Sequence, residues 1–156
     1  MQRLATRLST TKALGMYRLS TYEFLLCYDG IFHFNYLCLT LECAIYVDHH
    51  GEISRSKVIN WNGKPHATQV IGGKYVIAFD TSFIEIWRCD ERFEEGGMRV
   101  VQIIPGRDVR MIGNEQQVPA DGIVYVAMGH PETLDRDIVV ELALRNEDRD
   151  AMDYGR

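Results

Sequence analysis

Asp48-His49-His50 sets a carboxylate beside two imidazoles, the side chains that hold zinc and similar metals. Gly51 follows at once, so the triplet belongs in a tight turn, where adjacent histidines are expected to splay apart, and no metal site is expected there. His130-Pro131 also reads as a turn, and no Ser or Cys nucleophile motif accompanies it. Gly72-Gly73-Lys74 lacks the spacing and the Ser or Thr of a phosphate-binding loop. Glu94-Glu95 reads as a solvated hairpin tip, not as an acid/base pair facing a substrate. Trp61 and Trp87 sit at strand ends and read as packing residues before interface anchors. Arg107, Asp108 and Arg110 follow the Pro105-Gly106 turn. Arg107 and Arg110 are the candidate partner-binding residues, and the plainer alternative is a salt bridge between neighbouring sheets. No catalytic, cofactor-binding or metal residue is expected, because no nucleophile–base pair or ligand cluster appears.

The elements that would position these residues centre on Lys74 to Gly106. Tyr75–Phe79, Phe83–Trp87 and Arg99–Ile104 are β-branched and aromatic runs separated by turn formers, which predicts adjacent antiparallel strands. On the second run Ile84 and Ile86 share one face and Phe83, Glu85 and Trp87 the other, so both faces are largely apolar. Strands of that kind suit a sheet covered on both sides, as when small sheets stack face to face.

The chain has 156 residues, 46% apolar and 25% charged, which fits one globular domain or part of one. A net charge of −5 with no basic stripe argues against a binder driven by phosphate neutralisation. Cys27, Cys38, Cys43 and Cys89 form no CxxC pair; three of them lie in apolar runs and read as buried free thiols, which implies a reducing compartment. Arg3, Arg7, Lys12 and Arg18, with no acid before Glu23, give the N-terminus a composition like that of a mitochondrial transit peptide or of an ordinary basic lead-in. The most apolar run, Ile31 to Leu41, is shorter than the ~20 residues a bilayer-spanning helix needs.

In chain order, residues 1–16 read as a weakly structured lead-in, 17–145 as the folded unit and 146–156 as a disordered charged tail. Within the unit, YEFLLCYD (Tyr22–Asp29) matches KYVIAFD (Lys74–Asp80), with Phe24 on Tyr75, Leu25 on Val76 and Tyr28 on Phe79. The offset is 51, and removing the twelve residues Gly30 to Leu41 leaves a repeat of 39. A repeat near forty residues with several short strands is the mark of a propeller blade. After Gly51 a strand is expected over Ile53–Trp61, broken by Asn62-Gly63-Lys64-Pro65. His66–Ile71 opens the second unit, and Asp108–Ile112, Ile123–Met128 and Ile138–Leu144 make a third, the last alternating with Ile138, Val140, Leu142 and Leu144 on one face and a short helix as its alternative. The insert 30–41 is uncharged and largely apolar where a hairpin tip is normally polar. It is expected either to be foreign to the functional unit, as translated intron would be, or to form a strand-like extension on a neighbouring sheet.

Taken together, ALGMYRLSTYEFLLCYD, CAIYVDHHGEISRS, the Trp61-x-Gly63-x-Pro65 step, YVIAFDTSFIEIW and VQIIPGRDVRMI resemble the C-terminal part of a citron homology (CNH) domain. The likeness covers residues 13 to 113, more loosely to 145, and its wording is most like fungal Rho guanine nucleotide exchange factors. It implies an all-β fold, about three blades of a seven-bladed propeller. It also implies a non-catalytic protein–protein interaction module in small-GTPase signalling, with a Rho-family GTPase or neighbouring domains of an exchange factor as partner. No cofactor and no nucleic acid are implied, and the location would be cytoplasmic, peripheral to membranes through partners. The alternatives are the regulatory region of a citron or Nck-interacting-type kinase, or of a vacuolar tethering subunit. Three blades leave two faces open, so the isolated chain is expected to be poorly soluble or oligomeric.

Overall fold

The computed structural model describes residues 12–29, 32–34, 37–39, 43–56, 58–89, 98–113 and 122–143. Among them are thirteen strands and no helix. The first sheet takes β1 (Lys12–Arg18), β2 (Glu23–Asp29), β5 (Cys43–Asp48) and β6 (Ile59–Asn60), side by side in that order. The second is a meander of β7 (Ala67–Ile71), β8 (Tyr75–Phe79), β9 (Phe83–Cys89) and β10 (Met98–Pro105). The third takes β11 (Arg110–Ile112), β12 (Ile123–Gly129) and β13 (Asp137–Ala143). All strand pairings are antiparallel. The architecture is all-β, a run of blades from a β-propeller.

The second sheet is the one the other two are packed upon. One face contributes Val70, Val76, Ala78 and Cys89 to a core with Leu14, Tyr17, Leu25, Cys27, Ala44 and Tyr46 of the first sheet. The opposite face contributes Ala67, Ile71, Ile77, Phe79 and Ile84 to a core with Val109, Val124, Val126, Met128 and Leu142. Every residue of β7 and β8 is buried, as apolar runs without alternation predict. Their joining turn uses Gly72 and Gly73 at φ 59° and 64°, which glycine adopts at no steric cost and which suit the twist of a tight hairpin. On β13, Ile138, Val140 and Leu142 face the second sheet, as the alternation predicts.

Three expectations shift. Strand β1 begins at Lys12, inside the stretch read as a lead-in, with Leu14 and Tyr17 already in the core. The strand expected over Ile53–Trp61 is reduced to a bridge between Ile53 and Val47 and the two residues of β6, because Ser54 and Arg55 are drawn to Glu23. The repeat is also one residue longer than the sequence comparison gives. Tyr17 pairs with Leu25 and Cys27 with Ala44, while Gln69 pairs with Ile77 and Phe79 with Ile84. The offset between sheets is therefore 52 on the first two strands and 40 on the third. A slip of one residue turns every side chain to the other face. Leu25 and Val76, equated by sequence, thus meet in one core from opposite sheets.

The insert contains β3 (Phe32–Phe34) and β4 (Leu37–Leu39), which pair antiparallel with each other in a separate two-stranded sheet. The tail 146–156 and Glu94-Glu95 lie outside the described residues.

Candidate interaction surface

One end of the stack carries the β8–β9 turn, the two crossings from sheet to sheet and the β12–β13 loop. Hydrogen bonds run through all of them. The Asp80 carboxylate accepts the Ser82 amide at 2.8 Å, closing its own turn, and the Lys64 amide at 2.9 Å, holding the crossing from the first sheet. The Gly106 amide donates to the Ser82 carbonyl at 2.9 Å and the Val109 amide to the Thr81 carbonyl at 3.1 Å, which fixes the crossing to the third sheet. Beneath the turn, Glu85 is buried at 1% exposure. Its carboxylate accepts the Asn62 amide (3.1 Å), the Asn62 Nδ2 group (2.8 Å) and the Trp87 Nε1–H (3.1 Å). A buried carboxylate is tolerable here because these three N–H donors replace the water its oxygens have lost. Trp87 meets Trp61 edge to face with centroids 5.9 Å apart, so both tryptophans are packing residues between the first two sheets.

The two candidate arginines lie apart in role. Arg107 reaches the β12–β13 loop, where Nη2 donates to the carbonyls of His130 (3.2 Å) and Thr133 (3.5 Å). The Gly129 amide returns a bond to the Arg107 carbonyl at 2.6 Å. A side chain at Gly129 would put its Cβ 2.7 Å from Arg107 Nε, so the glycine leaves the space in which the guanidinium lies. Asp108 takes φ 51°, a left-handed conformation that Asp tolerates, and Val109 after it is buried in the core. Arg110 lies on the face of the third sheet turned away from the second, paired with Asp137. The salt bridge foreseen between sheets is thus a pair within one sheet.

The opposite end carries Asp48-His49-His50. The Asp48 carboxylate accepts the His50 and Glu52 amides at 2.8 and 2.9 Å, and those bonds, Glu52's first, hold its pKa below the usual range. The imidazoles do not splay: their centroids lie 3.8 Å apart with the rings tilted 44° to one another, and Tyr22 packs edge-on to His49 at 5.7 Å. Consecutive turn positions on a chain bent this tightly bring the rings together. Among the described residues no group of three or more His, Cys, Asp or Glu is placed to hold a metal. Nearby, Glu23 receives Ser54 Oγ, Arg55 Nε and Arg55 Nη2, and the guanidinium lies over the Tyr46 ring at 4.2 Å. Burial pushes the Glu23 pKa up, but the hydrogen bonds from Arg55 and Ser54 and the Arg55 charge outweigh it and leave it lowered.

Cys27 and Cys43 are buried free thiols, as their apolar runs predict, and Cys89 is buried too. Burial pushes the Cys27 thiol up to about 12 and Cys43 to about 11, so neither is a nucleophile near neutrality. Among the described residues no helix is long and apolar enough to cross a membrane. Sequence reasoning gave Glu85 no role, read His130 only as a turn residue and passed over Leu134. The available signals were a lone acid in an apolar run and a lone leucine in a polar one.

The chain matches the CNH domain family over residues 1–115. Among curated proteins it is similar to Rho1 guanine nucleotide exchange factor 3 of Schizosaccharomyces pombe, 27% identical over 138 residues, and to factor 1 of the same organism, 27% identical over 136. These alignments take in 87% and 85% of this chain but 9% of each relative, so the chain spans under a tenth of their length. No solved structure gives a significant match.

Proposed function

The chain belongs to the CNH domain family, and on that premise we propose that it is a non-catalytic, partner-binding module of a Rho guanine nucleotide exchange factor type protein, acting in small-GTPase signalling. The observation that carries the reading is the alignment of more than four-fifths of the chain with two Rho1 exchange factors. The physical fit is a rigid stack of sheets whose turns are bonded to one another at one end, which suits the presentation of fixed loops to a protein surface. The partner is a Rho-family GTPase or a neighbouring domain of the exchange factor, the location is the cytoplasm, and Arg107 and Arg110 belong to the surface concerned.

The test is a titration of a purified Rho-family GTPase, loaded in turn with GDP and with a GTP analogue, against this chain and against the complete parent protein. The expected result is saturable binding by the parent, weaker binding by the chain, and no requirement for metal beyond that of the nucleotide. A parent protein that binds neither the GTPase nor the catalytic segment of an exchange factor removes the reading.

A further inference from the structure

The loop from His130 to Arg136 is held rigidly while its one large apolar side chain points into water. The His130 imidazole accepts the Glu132 and Thr133 amides at Nδ1 (3.1 and 3.2 Å). The His130 amide donates to the Arg136 carbonyl at 2.7 Å, closing the loop at its base. Arg107 spans the His130 and Thr133 carbonyls from the neighbouring crossing. Against that, Leu134 is 80% exposed, more than any other large hydrophobic residue described. Exposed apolar residues scattered singly are ordinary, but this one sits on backbone whose ordering has already been achieved by the fold.

We propose that the 130–136 loop is a preorganised docking knob, with Leu134 as the apolar tip that enters a pocket on a protein partner. The partner's pocket is apolar and bordered by basic side chains. Glu132 and Asp135 are exposed beside the tip with Arg136 as the exposed base, while Asp108 lies 3.9 Å from the Arg107 guanidinium, which also spans the loop carbonyls, so those two charges offset each other. The rim is therefore net acidic, and a basic border is its complement. His130 is a positioning residue: it fixes the loop without touching the partner, while Arg107 braces the loop from the exposed surface beside it.

The inference rests on the partner-binding reading above, and two measurements separate their fates. In the first, a purified Rho-family GTPase is titrated against the complete parent protein and its L134E, H130A and H130N variants. L134E is expected to weaken binding about tenfold or more, and H130A by about threefold. H130N is expected to stay near wild type, because an amide oxygen can accept the same two N–H groups. In the second, photo-reactive benzoylphenylalanine replaces Leu134 in the parent protein, with Val139 on the exposed sheet face as the control site. A cross-link to the GTPase at 134 that H130A abolishes and H130N restores supports both ideas. A loop-dependent cross-link to an identified protein outside GTPase signalling keeps the knob and removes the functional reading. Unchanged GTPase affinity in L134E with no cross-link above the 139 control overturns the knob and leaves the functional reading standing. No binding and no cross-link overturns both.

Discussion

The first sheet and the second are folded to one register, yet different forces secure them. The second is covered on both faces, and Phe79, Ile77 and Ile84 on one side and Val76 and Ala78 on the other are almost wholly buried. It ends in an eight-residue outer strand that pairs along its length with β9. The first packs on the second by one face, its other face carries only a smaller buried cluster of Cys43, Ile45 and Val47 with Phe24, Leu26 and Tyr28 against it, and its outer strand is two residues long. In place of a long strand it has a charged clasp: Glu23 grips Ser54 and Arg55, and Arg55 lies across Tyr46. Apolar burial suffices where a sheet has neighbours on both sides. Where the edge strand is cut short, directional bonds do the holding.

Five measurements break or sharpen that contrast. Phe79 and Cys27 occupy the same place in their sheets, by the 52-residue offset, and both are fully buried. Phe79→Ala is expected to lower the unfolding free energy in urea by ~3–5 kcal/mol. Cys27→Ala, which removes one sulfur, should lower it by about 1 kcal/mol. Equal losses would mean that the two sheets carry the core alike. Glu85 and Ile45 are also equivalent, by the 40-residue offset; one holds a crossing and the other is apolar. Glu85→Ala strands the donors of Asn62 and Trp87 and is expected to cost about 2–3 kcal/mol. A change within error would show that water replaces the carboxylate.

The clasp is the next smaller effect. Arg55→Ala leaves Glu23 part-buried without its main donor and should cost about 1–2 kcal/mol. Glu23 and Asp48 both titrate lower in the folded chain than in an unfolded one. Their stabilisation is therefore in full force above the ordinary carboxylate range and is lost as pH falls through the folded values. Below about pH 4, amide exchange at Ser54 should accelerate before exchange in β7 and β8 does. Simultaneous acceleration in both sheets would rule out a local clasp. The smallest effect belongs to the insert. Deleting 30–41 joins Asp29 to Glu42 and gives the first sheet the turn length found between Phe79 and Ile84. The melting temperature should move by no more than about 3 °C, since loop length is a weak determinant of stability. A collapse of the melt would place the insert inside the folded unit.

Much of the fold could be read from residue types. Runs of Val, Ile, Phe and Tyr between Gly, Asp and Ser marked the strands of the second sheet, because β-prone residues stop where turn formers begin. Gly72-Gly73 marked a turn that needs positive φ, and the alternation in Ile138–Leu142 marked which face of β13 is covered. Trp61 and Trp87 were placed in packing, as they are. The interaction surface was half legible. Arg107 was picked out for its place after Pro105-Gly106, but its task, holding carbonyls of a loop more than twenty residues on, depends on how the third sheet closes.

Composition and local pattern therefore determined that the chain makes short antiparallel strands in repeated units, with a twelve-residue intrusion in the first. They could not determine which way each strand faces. Leu25 and Leu26, like Val76 and Ile77, are apolar on both sides of the ribbon, so two registers one residue apart satisfy the sequence equally well. Only packing separates them. Tyr17 must reach Thr68, with its hydroxyl 3.0 Å from Oγ1, and Phe79 must meet the third sheet. The tertiary contacts likewise decided that Glu85, an acid inside an apolar run, would be buried: Asn62, brought in by the crossing from the first sheet, supplies the donors that a strand by itself does not have.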